Sequence, residues 1–291
     1  RVARELGIGM GVGSQRAAIE NPELEYTYRV VREEAPNVFL IANIGFTQLI
    51  PGGIELATKV VEMVDANALA IHLNPLQELI QPEGDREFKG ALEAIKNICK
   101  TLKTPVIAKE VGCGISREVA KNLEKAGVKG VDVGGLGGTN FALIEALRAE
   151  SIGDEELAEV GKSFSTWGIP TAISIVEVSS STNLTVIAGG GIRTGVDAAK
   201  AIALGAKCVS IALPVLKALY THGKEGVIRL IRRFVKELSV CMVLTGCRSV
   251  EELMEADVVV TGKAADWLRA RGYNPARLAN RGFKRWKGGC R

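Results

Sequence analysis

Ala70-Ile-His-Leu-Asn-Pro-Leu-Gln-Glu78 is the stretch on which the reading of the chain turns. The residues leading into it, Asn67 to Ile71, are apolar enough to form a buried strand. That strand then releases His72, Asn74, Gln77 and Glu78, which are one imidazole, two amides and one carboxylate. Pro75 removes a backbone donor and biases Asn74 away from helix, which predicts a strand end passing into a loop. The plainer alternative for this stretch alone is a capped βα turn with a satisfied histidine.

The same grammar recurs along the chain. Apolar runs rich in Val, Ile and Ala lie at Gly7–Gly13, Val38–Ile44, Ala68–Leu73, Val106–Glu110, Gly130–Val133, Leu184–Ala188 and Cys208–Ala212. Helical patterns fall between them, at Gly53–Val64, Phe88–Leu102, Ser116–Ala126 and Gly195–Leu204. Strands alternating with helices imply a parallel sheet, and strands apolar throughout imply burial on both faces. Polar residues confined to strand ends are the layout of a (β/α)8 TIM barrel, whose chemistry sits at the carboxyl ends of its strands. Seven runs are present where eight are needed, so the first strand is expected to be missing. The opening Arg1-Val-Ala-Arg-Glu-Leu reads as the end of a helix, and a further N-terminal segment is expected before it. A doubly wound open sheet is the alternative, but Gly9 to Arg16 has glycines without the G-x-G-x-x-G continuation.

After the barrel, Val227 to Leu244 reads as an amphipathic helix, followed by two short ones at Val250–Glu255 and Ala264–Arg271. The expected organisation is one unit over 1–279 and a basic, disordered tail over 280–291. The formal net charge of +4 on 291 residues is too mild to argue for nucleic acid. No run is long and apolar enough for a membrane span. Six cysteines without a C-x-x-C pair, mostly in apolar runs, are expected to be buried thiols of a reducing, cytoplasmic setting.

The strand ends supply the candidate groups in turn. They are Ser14-Gln15-Arg16, Asn43, the His72–Glu78 set, Lys109-Glu110, the turn Gly134–Asn140 with Thr139, Gly189–Arg193, and Ala212-Leu213-Pro214. Two glycine-rich turns opening helices can bind phosphate through free backbone N–H groups. Glycines that merely allow tight turns are the competing account of either turn alone. Lys109, at the end of an apolar strand, must meet an anion or a polar ring, because unpaired burial of a charge is costly. It is open to a Schiff base, a flavin contact or an ion pair with Glu110. Glu78 could hold Mg2+ that bridges to a substrate phosphate. His222 reads as a surface residue. No nucleophile constellation and no zinc set is present in the sequence.

These residues carry a resemblance. G-V-G-S-Q-R (11–16), H-L-N-P-L-Q-E (72–78), K-E-V-G (109–112), G-G-T-N-F (137–141), W-G-I-P-T-A (167–172), G-G-I-R-T-G (190–195) and A-L-P (212–214) run in the order of the type 2, FMN-dependent isopentenyl diphosphate isomerases. The chain resembles the archaeal members of that family. The resemblance implies conversion of isopentenyl to dimethylallyl diphosphate by a 1,3-allylic proton shift on reduced FMN with Mg2+, NADPH serving as flavin reductant. It implies that Ser14, Asn43, Lys109, Thr139, Gly191, Ile192, Arg193, Ala212 and Leu213 hold FMN. Ser14, Gln15, Arg16, His72, Asn74 and Gln77 would face the substrate, His72 and Asn74 near its diphosphate and Gln77 by the isoprenoid carbons, these three forming the catalytic set, and Glu78 would bind the metal. A homo-oligomer, tetramer or octamer, is implied as well. The family's N-terminal Arg-Lys pair and Met-Thr-Gly-Gly turn do not occur here. Gly134 stands where some relatives have Ser, and Cys113 occupies a variable position. An FMN-dependent 2-hydroxy-acid oxidase or dehydrogenase is the rival enzyme reading, though Gly189–Arg193 has the Arg such an enzyme needs without its His. An inactive phosphate-binding barrel is the rival outside catalysis.

Overall fold

A computed structural model describes residues 1–281. Seven strands form one sheet: β1 (Met10–Gly11), β2 (Leu40–Gly45), β3 (Ala68–Leu73), β4 (Val106–Glu110), β5 (Gly130–Asp132), β6 (Thr185–Ala188) and β7 (Cys208–Val209). They are all parallel and pair in sequence order, β1 to β7. A doubly wound sheet reverses its order at a switch point, so this order excludes that alternative. The sheet is curled: Glu5, before β1, pairs with Lys224, beyond β7, at 2.7 Å. Seven strands are present, as expected of an eight-stranded barrel without its first strand, and the curl is open: β1 and β7 form no ladder with each other among the described residues.

Burial explains why the runs are strands. Leu40, Leu69, Ile71, Val106, Val131 and Val186 are all buried, packed between the inside of the curl and the helices outside it. Truncating one such side chain, Ile71→Ala for instance, costs about 2–5 kcal/mol by the usual sum of transfer and cavity terms. Of the five interior strands, β3 and β4 have the expected bounds, whereas the edge strands β1 and β7 shrink to two residues each. Each edge strand has a pairing partner on one side only, so little holds its ends in a ladder. The long gap before β6 is filled by helices Phe141–Ser151, Glu155–Ser163 and Thr171–Ser179.

Three further readings are corrected. The loop expected at Pro75 is a helix, Pro75–Ile80, with Asn74 at its N-cap. Proline suits the first helical position, where its missing N–H would have no partner in any case. The amphipathic helix begins earlier than Val227: Leu213–Leu244 is continuous apart from a non-helical Gly223, φ 58°. The five described cysteines are not buried thiols: Cys99, Cys113, Cys241 and Cys247 are half-buried, and Cys208, on the edge strand, is exposed. All five are free. Most of the expected tail lies outside the described residues, and its described start is anchored, with Arg281 donating to the carbonyls of Ala203 and Met254 at 2.6 and 2.8 Å. His222 is exposed, as expected. No helix of the described residues is long and apolar enough to cross a membrane.

Candidate active site

Parallel register places Gly45, His72, Lys109 and Asp132 side by side on β2 to β5. In-register neighbours share a face, so three polar side chains form one row at the carboxyl end of the sheet. Gly45 leaves the room this row needs: a Cβ there would sit 2.9 Å from His72 Nε2. Above the row opens a cavity of about 1020 Å3, lined from every strand end. Its volume is at the upper end of the range for small-molecule sites, enough for two ligands side by side.

The β3 side is built from interlocked side chains. His72 Nδ1 lies 3.1 Å from Asn43 Oδ1, and Asn43 Nδ2 donates to the Val12 carbonyl at 3.2 Å. Asn43 therefore presents its oxygen, the hydrogen sits on His72 Nδ1, and Nε2 keeps a lone pair. Burial, with the nearby Lys109 charge, lowers the His72 pKa to about 4, so the ring is neutral at neutral pH. Gln77 Nε2 donates to Glu145 at 2.9 Å, and Asn74 Nδ2 donates to Gln77 Oε1 at 3.2 Å and Glu78 Oε1 at 2.9 Å. Glu78 also accepts from the Asp85 N–H at 3.0 Å. Arg16 is the cation of this side, bound to Glu20 at 2.7 Å and 3.9 Å from Asp85.

The opposite side is built from backbone. Gly189–Arg193 and Gly134–Gly138 pack turn against turn: Gly135 N–H donates to the Gly189 carbonyl at 3.0 Å, and Thr171 Oγ1 to the Gly190 carbonyl at 2.6 Å. Arg193 ties the two turns together, donating to Gly191 and Gly137 carbonyls at 3.2 and 2.9 Å. The N–H groups of Gly191 and Ile192 have no acceptor among the described residues, and both residues line the cavity. Ala212 and Leu213 open the long helix with no side-chain cap, which leaves its first-turn N–H groups free as well. Lys217 and Arg233 complete a rim suited to an anion.

Between the sides, Lys109 pairs with buried Asp132 at 3.4 Å, and Ser210 donates to the same carboxylate at 2.9 Å. Of Glu110, Lys109 touches only the backbone carbonyl, at 3.2 Å. The Glu110 carboxylate turns away and accepts the N–H groups of Val111, Gly112 and Cys113. Burial raises its pKa, against the pull of those N–H groups.

Of the residues singled out in the sequence, Ser14, Arg16, Asn43, His72, Asn74, Gln77, Glu78, Lys109, Thr139, Gly191, Ile192, Arg193, Ala212 and Leu213 all line this cavity. Gln15 does not. Fully buried, it accepts the Asn43 N–H at 3.0 Å and donates to the Val60 carbonyl at 2.9 Å. Its amide continues the pairing past the end of β1, so the reading of Gln15 as facing a ligand is corrected. Sequence reasoning missed Asp132, Ser210, Glu145 and Thr171. Only an acid two residues before a glycine turn hinted at any of them.

Comparison with known proteins fits this geometry. Residues 50–260 match the FMN-dependent dehydrogenase family. The isopentenyl-diphosphate delta-isomerase of Methanosarcina barkeri is 52% identical over 272 residues, 94% of this chain and 74% of that protein. That of Archaeoglobus fulgidus is 52% identical over 268 residues, 92% of this chain and 76% of that protein. Among solved structures, mandelate oxidase with benzoyl-formic acid aligns over 86% of this chain and 77% of that one, at TM-score 0.53 and 20% identity, a likeness of fold alone. The chain belongs to the FMN-dependent dehydrogenase family and, among its members, to the isopentenyl-diphosphate delta-isomerases.

Proposed function

We propose that this chain interconverts isopentenyl and dimethylallyl diphosphate, with FMN and substrate sharing the one cavity. The observation that carries the reading is the cavity's division into a backbone-donor side and a side-chain side, with room for two ligands. FMN phosphate fits the free N–H groups of Gly191 and Ile192, beside Arg193, Thr139, Ala212 and Leu213. Lys109, Asn43 and Ser14 are left for the ring and its chain, and Asp132 holds the Lys109 ammonium in place. Bound in reduced form, FMN would supply and take back the proton that moves along the allylic unit.

The chain's own residues bind and orient. Arg16 can exchange its carboxylate partners for the diphosphate. Glu78 is the carboxylate placed for Mg2+, which prefers one or two protein oxygens and completes its shell with phosphate and water. His72, neutral at neutral pH, adds no charge to the site. Gln77, whose amide is held at both ends, would lie by the reacting carbons. Remote binding of the diphosphate then positions the small apolar portion, which has no polar handle of its own. NADPH as flavin reductant and assembly into a tetramer or octamer belong to the same proposal. The latter is supported by exposed Leu147, Ile152 and Trp167.

The 2-hydroxy-acid reading is disfavoured by the β6 end, which carries Arg193 but no histidine. The second histidine, His222, is exposed on the long helix. The test is to incubate the chain with FMN, dithionite, Mg2+ and isopentenyl diphosphate and to follow dimethylallyl diphosphate. Product that depends on reduced flavin supports the reading. A flavin-loaded chain that oxidises 2-hydroxy acids and leaves isopentenyl diphosphate untouched overturns it.

A further inference from the structure

The amide of Asn74 is oriented by a relay of acceptors. Glu145 offers only lone pairs, so Gln77 must turn its Nε2 toward it, at 2.9 Å. Gln77 Oε1 is thereby presented to Asn74. Asn74 Nδ2 then answers two acceptors at once, Gln77 Oε1 and Glu78 Oε1. Flipping Asn74 would set its oxygen against both of them, so the orientation is forced. The consequence is that Asn74 Oδ1 is the one buried side-chain polar atom among the described residues with no partner. Asn74 is 3% exposed and stands at the cavity wall beside Glu78, which is equally buried.

A buried carbonyl oxygen without a donor costs free energy until something electropositive meets it. A diphosphate cannot, since its oxygens are acceptors too. His72 Nε2 is likewise a lone pair, so neither Asn74 nor His72 offers a free N–H here.

We infer that Asn74 Oδ1 is a second protein oxygen for the divalent cation held by Glu78, and that Asn74 reaches the diphosphate only through that cation. This rests on the proposed isomerase reading of the cavity, and it assigns Asn74 a role opposite to that of a direct anion donor. A neutral carbonyl and a carboxylate, with phosphate oxygens and water filling the remaining positions, suit the octahedral oxygen preference of Mg2+.

The opposite roles give opposite outcomes. Mn2+, an electron-spin probe with the same ligand preference, is titrated into FMN-loaded protein with inorganic diphosphate, and free Mn2+ is read by its EPR signal. Asn74→Ala should weaken Mn2+ binding about tenfold or more, with FMN absorbance unchanged. Asn74→Asp, which keeps the oxygen and adds charge, should bind Mn2+ at least as tightly as the wild type. Glu78→Gln should lose the tight site. Wild-type protein enriched in 13C at asparagine should show a Mn2+–13C hyperfine coupling, which needs no variant. Unchanged Mn2+ affinity in Asn74→Ala, joint loss of Mn2+ and diphosphate in Asn74→Asp, or absence of the coupling overturns the inference. If the wild type still binds FMN and turns over isopentenyl diphosphate in that event, the isomerase reading stands. Failure of the wild type to take up either ligand removes both.

Discussion

The two sides of the cavity solve opposite problems with opposite materials. At the end of β3, acceptors are carried by side chains and held by other side chains: His72 by Asn43, Gln77 by Glu145, Asn74 by Gln77 and Glu78. At the turns after β5 and β6, donors are carried by backbone and held by close packing of glycine on glycine. A side-chain lattice tolerates substitution in steps, since each member can be swapped for an isostere. A backbone cradle fails at once, because an added methyl has nowhere to go. The difference predicts how each side breaks.

The largest effect is expected at Gly190. Its φ is 97°, and a Cβ there would run into the Gly135 carbonyl oxygen and stand 2.8 Å from Thr171 Oγ1. Gly190→Ala adds left-handed strain to overpacking, together about 3 kcal/mol or more. Urea unfolding should show that loss, and dialysed protein should retain no FMN absorbance. Wild-type flavin content would mean that the two turns are separable and the cradle is not rigid.

On the side-chain side, His72 should make stability depend on pH. Its folded-state pKa is about 4, below its ordinary 6.5. Between those values the unfolded chain binds the extra proton, so stability is full above pH 6.5 and falls as pH drops toward 4. The full loss is about 3 kcal/mol. Urea midpoints from pH 7.5 to 4 should show this slope in the wild type and a shallower one in His72→Gln. Identical slopes in the two proteins would remove His72 as the cause.

Between the sides, Asp132→Asn should leave the Lys109 ammonium with a neutral partner. The cost is about 2 kcal/mol, reduced from that of a buried pair because Lys109 is one-third exposed to the cavity. FMN should bind about tenfold more weakly, or 1.4 kcal/mol. Isothermal titration with FMN checks it, and Lys109→Met in the same background should add little more if the two act as a pair.

Much of this was legible in the residues. Ala68–Leu73 and Val106–Glu110 announce themselves as strands because interior parallel strands are apolar on both faces. His72, Asn74, Gln77 and Glu78 stand out because polar residues crowd one strand end. What could not be read is which way an amide faces. Gln15 sits beside Ser14 and Arg16 in the chain, yet it turns inward to satisfy strand and helix backbone. Asp132 looks like one acid inside an apolar run, and its partners, Lys109 and Ser210, come from strands far away in sequence. Glu145 lies in Phe-Ala-Leu-Ile-Glu-Ala-Leu-Arg, where it passes for an ordinary helix-surface acid, although it is 3% exposed. Helix Pro75–Ile80 was obscured by a proline that breaks helices everywhere except at their first turn.

Glu145 also gives the smallest and most pointed expectation. Its carboxylate accepts from Gln77 at 2.9 Å and from Arg148 at 2.6 Å, and Arg148 reaches out to Glu83. Glu145→Gln keeps size and shape, so fold and FMN content should be unchanged, with the unfolding free energy from urea titration moving by no more than about 1 kcal/mol. What changes is information: a glutamine can donate as well as accept, so Gln77 is free to flip its amide. Asn74 then loses one of its two acceptors, while Glu78 still holds the other. If the side-chain side works by orientation, kcat for isopentenyl diphosphate should fall about tenfold, or 1.4 kcal/mol, at an unchanged KM for Mg2+. Glu145→Ala should fall no further, because either change releases the same amide. A variant with wild-type kcat would mean that Gln77 is held well enough by Asn74 alone, and that the lattice is shallower than its hydrogen bonds imply.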